Sequence, residues 1–361
     1  MSEKFIKRTD GSIHFRSDEE FVLENGQTLK QLELVYETWG ELNDDKSNAI
    51  LVHHALSVGA HASETPVNPE AGWWQEIIGP GKAIDTTRYF AICINNLGSC
   101  FGSSGPLSVN PETNESYKGN FPEVTIGDMT ASQKLLVDKL GIKKFHALAG
   151  GSMGSMLSLI WAIDYPETLS KLILISSSYK AYPANIANRS IQHQAIRVDP
   201  LWQNGNYASN EELSGFKLAR KLGLYTYRNS SEWNRRFNSH KNSSVKDTDI
   251  IQYMEYNAEK FSKRFDANSY LTLTRSMDLF DVTKEYDSIE QCFSKITAET
   301  LVVSVESDVL FTPQQQQELY SALQESGVNC QYIEHHSQYG HDAFLVEKEP
   351  FTKYIGDFLN L

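Results

Sequence analysis

Short runs of apolar residues alternate with helical patterns in the first half of the chain. Nearly continuous apolar runs, the pattern of strands buried on both faces, occupy 48–54 (NAILVHH), 89–95 (YFAICIN), 144–149 and 169–176 (LSKLILIS). Segment 125–140 has helical spacing, and Gly141 is its stop signal. Strands that alternate with helices predict a mostly parallel sheet with helices on both faces.

The pattern changes after residue 182. Segment 183–298 has no parallel-strand run and contains helical patterns rich in Asn, Glu, Lys, Arg and Tyr. The alternation of strand and helix resumes with TLVVSV at 300–305. An insertion of about a hundred residues is long enough to form a helical cap. We therefore predict one core from 1–182 and 299–361, interrupted by a helical cap or lid at 183–298.

Composition and charge exclude several classes of protein. The 361 residues are 40% hydrophobic, which argues against wholesale disorder, and the formal net charge is −13. An acidic surface repels nucleic acids and anionic membranes, and no apolar run of about 18 residues could span a bilayer. The four cysteines form no C-x-x-C pair, and the first residues resemble no secretory signal. We predict a cytoplasmic protein that binds neither nucleic acid nor membrane.

Residues 150–154 (GGSMG) match the motif G-x-S-x-G. A predicted buried strand precedes the motif and an apolar helix follows it, which is the context of a nucleophilic serine. The small flanking residues let the chain turn sharply, so that Ser152 projects from the sheet edge at a helix N-terminus. The alternative is a tight turn without chemistry, and the choice depends on partner residues.

A serine hydroxyl needs a histidine to take its proton and a carboxylate to orient that histidine. In this kind of sheet both follow the serine, carboxylate first, at the ends of later strands. Asp308 comes directly after the strand 300–305, and His341 lies one helix and one strand further on, beside a glycine. We predict a triad of Ser152, Asp308 and His341. Glu306 is a less favoured candidate than Asp308, and His335 and His336 are less favoured than His341.

An oxyanion hole needs two backbone N–H groups directed at the developing negative charge. One is expected from Met153, the residue after the nucleophile. The other is expected from the turn after the strand 48–54, where Leu56 and Ala55 are both candidates.

The sequence favours neither a metal site nor a phosphate-binding loop. A metal site at His53, His54 and His61 is disfavoured because adjacent strand residues face opposite sides and no acidic ligand pattern accompanies them. The glycine-rich segment 98–105 fits neither phosphate-binding motif. We therefore predict no metal and no bound cofactor.

Taken together, these motifs resemble the homoserine and serine O-acyltransferases of the α/β-hydrolase superfamily over nearly the whole chain. The matching segments are 53–57 (HHALS), 72–82 (GWW…GPGK), 95–106 (NNLGSCFGSSGP), 121–129 (FPEVTIGDM), 150–154 (GGSMG), 226–228 (TYR), 264–271 (RFDANSYL) and 339–344 (YGHDAF). The resemblance implies an α/β-hydrolase fold, an acyl-CoA co-substrate and a ping-pong reaction through an acyl-serine. It also implies a homodimer formed through the cap helices.

The resemblance also implies roles for individual residues. It makes Leu56 the first oxyanion donor and places Ser152, His341 and Asp308 in the triad. It implies that Arg228 and Asp342 hold the acceptor amino acid. A guanidinium can bind an α-carboxylate in a fork, and a carboxylate suits the α-ammonium group.

The donor and the acceptor stay open. The family most often uses L-homoserine and acetyl-CoA in methionine biosynthesis. However, the NLGSC segment and residues 232–237 look more like the L-serine O-succinyltransferase branch of cysteine biosynthesis, and Arg189 stands where an uncharged residue is frequent. Arg189 could pair with the distal carboxylate of a succinyl group, or it could be a surface charge of the cap.

Two other classes compete with a transferase. A simple esterase would use the same triad but has no need of a clamp for a zwitterion. A catalytically inactive binding module usually lacks a triad residue, whereas all three residue types are present here.

Overall fold

A nine-stranded mixed sheet forms the centre of the molecule, which is described by a computed structural model over residues 4–237 and 249–361. The strands are β1 (Lys4–Lys7), β2 (Ile13–Ser17), β3 (Leu32–Trp39), β4 (Ala49–His53), β5 (Phe90–Ile94), β6 (Phe145–Gly151), β7 (Leu169–Ile175), β8 (Glu299–Val305) and β9 (Cys330–His335). Their order across the sheet is β1-β2-β3-β5-β4-β6-β7-β8-β9. Strands β1, β2 and β3 pair antiparallel, and β3 pairs antiparallel with β5. The other six strands, in the order β5, β4, β6, β7, β8 and β9, run parallel to one another.

Eleven α-helices accompany the sheet in the part of the chain that the structure describes. They are α1 (Ile126–Leu140), α2 (Met153–Asp164), α3 (Pro183–Arg197), α4 (Ser214–Tyr227), α5 (Ser230–Arg236), α6 (Asp249–Arg264), α7 (Ala267–Asp278), α8 (Ile289–Phe293), α9 (Pro313–Glu325), α10 (Ala343–Val346) and α11 (Lys348–Leu359). Within these described ranges, no helix is long and apolar enough to cross a membrane.

The core lies on both faces of the parallel strands. Every residue of β4 is buried, and its side chains alternate between two apolar clusters, with Leu51 in one and Ile50 and Val52 in the other. Helices α1 and α2 contribute side chains to the first cluster, whereas α11 contributes to the second. This arrangement confirms the predicted mostly parallel sheet with helices on both faces.

Local signals explain where α1 begins and ends. The Thr125 hydroxyl accepts a hydrogen bond from the Asp128 N–H, while the Asp128 carboxylate accepts one from the Thr125 N–H. This reciprocal pair satisfies two backbone donors at the helix start. Gly141 adopts φ +70° at the other end, a conformation that suits glycine. The stop predicted at Gly141 is confirmed.

A helical region is inserted between β7 and β8. Over the residues that the structure describes, its regular elements are α3 to α8 with short 3₁₀ turns, plus an isolated bridge between Lys180 and Asp281. Helices α3 and α4 pack together, α6 packs against α4, and α7 packs against α3. The inserted helical region is therefore confirmed. Its boundaries as a separate domain, 183 and 298, stay a prediction.

The parallel strands bring the predicted site residues to one edge of the sheet. Strand β6 ends directly before Ser152, β4 and β8 end three residues before Leu56 and Asp308, and β9 ends six residues before His341. Because parallel strands end at the same edge, the four chain segments meet there.

Candidate active site

Ser152 lies in a sharp turn between β6 and α2. Its backbone has φ +57° and ψ −123°, which non-glycine residues rarely adopt. The neighbouring glycines allow the turn to pack tightly. A Cβ atom on Gly154 would lie 2.1 Å from the His53 carbonyl oxygen, and one on Gly150 would lie 2.3 Å from the Gly154 carbonyl oxygen. The predicted G-x-S-x-G turn therefore has the geometry that the motif requires.

The structure brings Ser152, His341 and Asp308 together in one hydrogen-bonded chain. The His341 Nε2 atom lies 2.8 Å from the Ser152 Oγ atom, and its Nδ1 atom lies 2.8 Å from Asp308 Oδ2. The other carboxylate oxygen of Asp308 accepts the N–H groups of Leu310 and Phe311. A carboxylate held in this way keeps the proton of His341 on Nδ1, so that Nε2 can accept the serine proton.

The charge of His341 is set by opposing effects. Burial of the imidazole disfavours its charged form, but the nearby carboxylates of Asp308 and Asp342 outweigh burial and raise the pKa of His341 above its ordinary value of 6.5. The imidazole also lies among aromatic rings, 5.4 Å from Phe311 and 5.7 Å from Phe344 between ring centres.

The rival residues lie in other interactions. The exposed His336 contacts Glu306 at 2.9 Å, and the buried His335 lies between the Tyr354 hydroxyl and the Glu347 carboxylate. The ranking of Asp308 and His341 above these residues agrees with the geometry.

Two backbone N–H groups are available beside Ser152 for an oxyanion. Met153 is the first residue of α2, so its N–H is among those without a partner inside the helix. Leu56 and Ala55 both line the cavity that contains Ser152. Of the two, Ala55 contributes a carbonyl that accepts hydrogen bonds from His54 and Val58.

A cavity of about 190 Å³ opens above Ser152, His341 and Asp342. Three arginines line it, namely Arg189 on α3, Arg220 on α4 and Arg264 at the end of α6. All three belong to the inserted helical region. A cavity with this lining suits a ligand that carries negative charge.

Arg189 is a buried residue whose guanidinium group is only partly hydrogen-bonded. Its Nε atom donates to Asp278 at the end of α7, while its Nη2 atom has no partner within the described residues. Burial raises the pKa of Asp278 although Arg189 opposes this. Of the two alternatives for Arg189, the surface charge is wrong, because Arg189 is only 4% exposed and lines the cavity.

Arg220 is a cavity residue that sequence reasoning missed. Its guanidinium lies 4.2 Å from the ring centre of Phe261 and 5.4 Å from that of Tyr227. Its Nε and Nη1 atoms are buried and meet no acceptor in the part of the chain that the structure describes. One signal was available. Arg220 lies four residues after Phe216 and four residues before Leu224, which places it on the apolar face of α4, an unusual position for an arginine.

Arg228 lies at the C-terminal end of α4 and faces Asp342. Its Nε atom donates to Asp342 Oδ2 at 3.0 Å, and its guanidinium lies 5.7 Å from the Tyr339 ring centre. Unlike Arg220, Arg228 does not line the cavity. Burial raises the pKa of Asp342, although Arg228 and His341 oppose this effect. The predicted pair is therefore in contact, but only Asp342 reaches the cavity.

The histidines considered for a metal site have other partners. His53 contacts the Ser158 hydroxyl at 2.8 Å, and His61 contacts the Glu37 carboxylate at 2.8 Å. Across residues 4–237 and 249–361, no group of three or more His, Cys, Asp and Glu side chains could hold a metal ion.

Comparison with known proteins shows the family. Residues 48–348 match the family described as alpha/beta hydrolase fold. A homoserine O-acetyltransferase from Methanococcus vannielii is 44% identical over 350 residues, which cover 94% of this chain and 71% of that protein. The chain belongs to the homoserine O-acetyltransferase family. A serine O-succinyltransferase from Litchfieldella anticariensis is also 44% identical, over 92% of this chain and 94% of that protein.

Solved structures agree on the fold. The homoserine O-acetyltransferase of Bacillus anthracis superposes with a TM-score of 0.89 at 29% identity and covers 97% of both chains. Esterase E22 gives the same TM-score at 29% identity, over 96% of this chain and 99% of that one. The predicted α/β-hydrolase fold with an inserted helical region is confirmed, and the chain is an acyltransferase of this fold.

Proposed function

We propose that this protein transfers an acyl group from acyl-CoA to the side-chain hydroxyl of a hydroxy amino acid, with L-homoserine as acceptor and acetyl-CoA as donor. The hydrogen-bonded chain of Ser152, His341 and Asp308, beside a cavity lined by cationic residues, carries the proposal. Homoserine O-acetyltransferase is the name of most of the similar proteins.

In the first half-reaction, the Ser152 Oγ atom attacks the thioester carbonyl while His341 Nε2 takes the serine proton. The N–H groups of Leu56 and Met153 stabilise the negative charge on the carbonyl oxygen. The C–S bond then breaks, the CoA thiolate takes the proton from His341, and CoA leaves. The product is an acyl ester of Ser152, and Asp308 stabilises the transient imidazolium.

In the second half-reaction, the acceptor hydroxyl gives its proton to His341 Nε2 and attacks the ester of Ser152. The C–O bond to Ser152 breaks, and the serine oxygen regains its proton from His341. The helical cap narrows the entrance and disfavours attack by water. This selectivity separates a transferase from an esterase on the same scaffold.

The acceptor needs a binding site for both of its charges. We assign the α-carboxylate to Arg220, because its Nε and Nη1 atoms meet no acceptor among the described residues and it lines the cavity. We assign the α-ammonium group to Asp342. Arg228 then holds the Asp342 carboxylate in place through its hydrogen bond at 3.0 Å.

A second candidate function is L-serine O-succinylation from succinyl-CoA, and Arg189 favours it. An acetyl group offers no charge for Arg189, whereas the distal carboxylate of a succinyl group would pair with its Nη2 atom, which has no partner in the described part of the chain. The similarity to a serine O-succinyltransferase supports this candidate as well.

We also propose a homodimer formed through the cap helices. Large side chains on these helices are exposed, including Ile191 and Leu218, both 57% exposed, and Tyr225 and Tyr256, both 64% exposed. Burial of such side chains against a second copy would remove apolar surface from water.

The proposed function is tested by trapping the acyl-enzyme. The wild-type protein and the Ser152→Ala variant are incubated with acetyl-CoA or succinyl-CoA without acceptor, and the intact mass is measured. We expect one acyl group on the wild type and none on Ser152→Ala. The Ser57→Ala variant, which changes another serine that lines the cavity, should acylate normally. Acylation of Ser152→Ala would contradict the assignment.

A further inference from the structure

His54 is a fully buried histidine to which the mechanism above gives no role. It follows β4 directly and precedes the turn that contains Leu56. Its Nδ1 atom lies 2.8 Å from the carbonyl oxygen of Ala55, and its Nε2 atom lies 3.0 Å from the backbone nitrogen of Asn96.

These two partners determine the tautomer of His54. The Asn96 N–H can only donate, so Nε2 must be the acceptor and carry no hydrogen. Nδ1 therefore carries the hydrogen and donates it to the Ala55 carbonyl. Burial lowers the pKa of His54 to about 4, so the imidazole stays neutral near pH 7 and keeps this arrangement.

The hydrogen bond to Ala55 has a consequence for Leu56. In a trans peptide unit the C=O and the following N–H point in opposite directions, and the described residues contain no cis peptide bond. The Ala55 carbonyl is held by His54 and by the Val58 N–H at 3.4 Å. The Leu56 N–H, which meets no acceptor within the described ranges, must then point the opposite way.

The Nε2 atom of His54 contacts Asn96, which is hydrogen-bonded to a core helix. Asn96 follows β5, and its side-chain oxygen accepts a hydrogen bond of 2.8 Å from Gln133 on α1. His54 thus links the end of β5 to the turn 55–58. Residues of this turn line the cavity together with Ser152.

We propose that His54 is a positioning residue that orients the Leu56 N–H toward the developing oxyanion. The proposal rests on the acyl-transfer function and on Leu56 as an oxyanion donor. It requires the hydrogen bond to Ala55 specifically, and it predicts that the contact with Asn96 matters less for catalysis.

Two substitutions separate the two hydrogen bonds of His54. In His54→Asn the amide nitrogen takes the place of Nδ1 and can still donate to Ala55. In His54→Gln the amide oxygen takes the place of Nε2 and can accept from Asn96, but the donor to Ala55 is lost. The same pair of changes at His53, which is equally buried but contacts Ser158, provides matched controls.

The readouts are the acylation rate of Ser152 by p-nitrophenyl acetate, the KM of that ester and the affinity of a boronic acid that forms a tetrahedral adduct with the serine. We expect His54→Gln to lose acylation rate and boronate affinity by similar factors, on the order of 10² as for loss of one oxyanion donor. Its KM for the ester should change little. The acylation rate and the boronate affinity of His54→Asn should stay within about tenfold of the wild-type values.

A merely structural histidine gives a different pattern. Equal losses in His54→Asn and His54→Gln, equal losses in the His53 variants, or a fall in melting temperature without a fall in boronate affinity would overturn the proposal. A wild-type protein that is not acylated at all by p-nitrophenyl acetate or by acyl-CoA would instead contradict the proposed function.

Discussion

At the scale of single residues, Ser152 holds a conformation with positive φ that costs on the order of 1–3 kcal/mol in a non-glycine residue. The surrounding structure compensates for this cost. The Ser152 N–H donates to the Ile175 carbonyl at 2.8 Å and so continues the ladder between β6 and β7. The strained turn directs the hydroxyl toward His341, which is where the reaction needs it.

The pH dependence of activity should follow the charge of His341. This residue acts as a base only when neutral, and the Asp308 and Asp342 charges outweigh burial and raise its pKa above 6.5. We expect kcat/KM to increase with pH, with its midpoint at the pKa of His341, above 6.5. At more acidic pH, kcat/KM should be low because His341 is protonated. In Asp308→Asn the residual activity should show this acid limb at a lower pH, because a charge that favours the imidazolium is gone. An acid limb that stays in place would contradict this account.

Arg220 should matter for the acceptor and much less for the donor half-reaction. The Arg220→Ala variant loses a charged hydrogen-bonding group worth about 1.5–3 kcal/mol, which corresponds to a rise of about 10- to 150-fold in the KM for the acceptor. The rate at which Ser152 is acylated in the absence of acceptor should differ from that of the wild type by less than about fivefold. Arg197→Ala, which changes an exposed arginine of α3, is the control. Equal losses in both half-reactions would refute the assignment.

The sequence was informative about the triad and less so about the arginines. Ser152, Asp308 and His341 could be predicted because each follows a recognisable strand in the required order. Arg220 was harder to predict, because an arginine on a helix is usually solvated and only the fold shows that its Nε and Nη1 atoms meet no acceptor among the described residues.

At the scale of elements, the close packing of α2 against β4 places the catalytic serine. A Cβ atom on Gly154 would lie 2.1 Å from the His53 carbonyl oxygen, and backbone atoms cannot move aside easily. This contact brings the start of α2 beside the turn that contains Leu56.

Gly154→Ala should therefore destabilise the protein and reduce activity. Overpacking of this kind lowers the free energy of unfolding by about 1–3 kcal/mol, which urea titration measures. Gly356→Ala is the matched control, because a Cβ atom there would make an ordinary contact at 3.6 Å on α11. We expect it to be neutral or stabilising, since alanine favours helices. A Gly154→Ala protein as stable as the control would contradict the packing argument.

Most strands and helices of the core were predictable, whereas parts of the cap were not. Strands β4 to β8 have nearly continuous apolar sequences because helices and neighbouring segments bury them on both faces. Helix α3 has a weak apolar pattern because its sequence, PANIANRSIQHQAIR, is largely polar. Its polar side chains Arg189 and Gln192 line the cavity, so function and not core packing determines this part of its pattern.

At the scale of the whole molecule, the inserted helices supply three arginines of the cavity and several exposed apolar side chains. If the cap helices form the dimer interface, Leu218→Glu should shift the protein from a dimer toward the 40.8 kDa monomer in light scattering. The reason is that a buried charge without a partner is unfavourable. Leu107→Glu changes another exposed leucine, at 53%, outside the cap and should leave the mass unchanged. A monomeric wild type would contradict the dimer.

Acyl transfer to an amino acid can be measured as CoA release from acetyl-CoA and succinyl-CoA, each offered with L-homoserine, L-serine or water alone. We expect release that depends on one of the two amino acids. Succinyl-CoA should be the better donor if Arg189 contacts the acyl group, and Arg189→Leu should then lose succinyl transfer more than acetyl transfer. Release that is equally fast with water alone would contradict a transferase and favour an esterase.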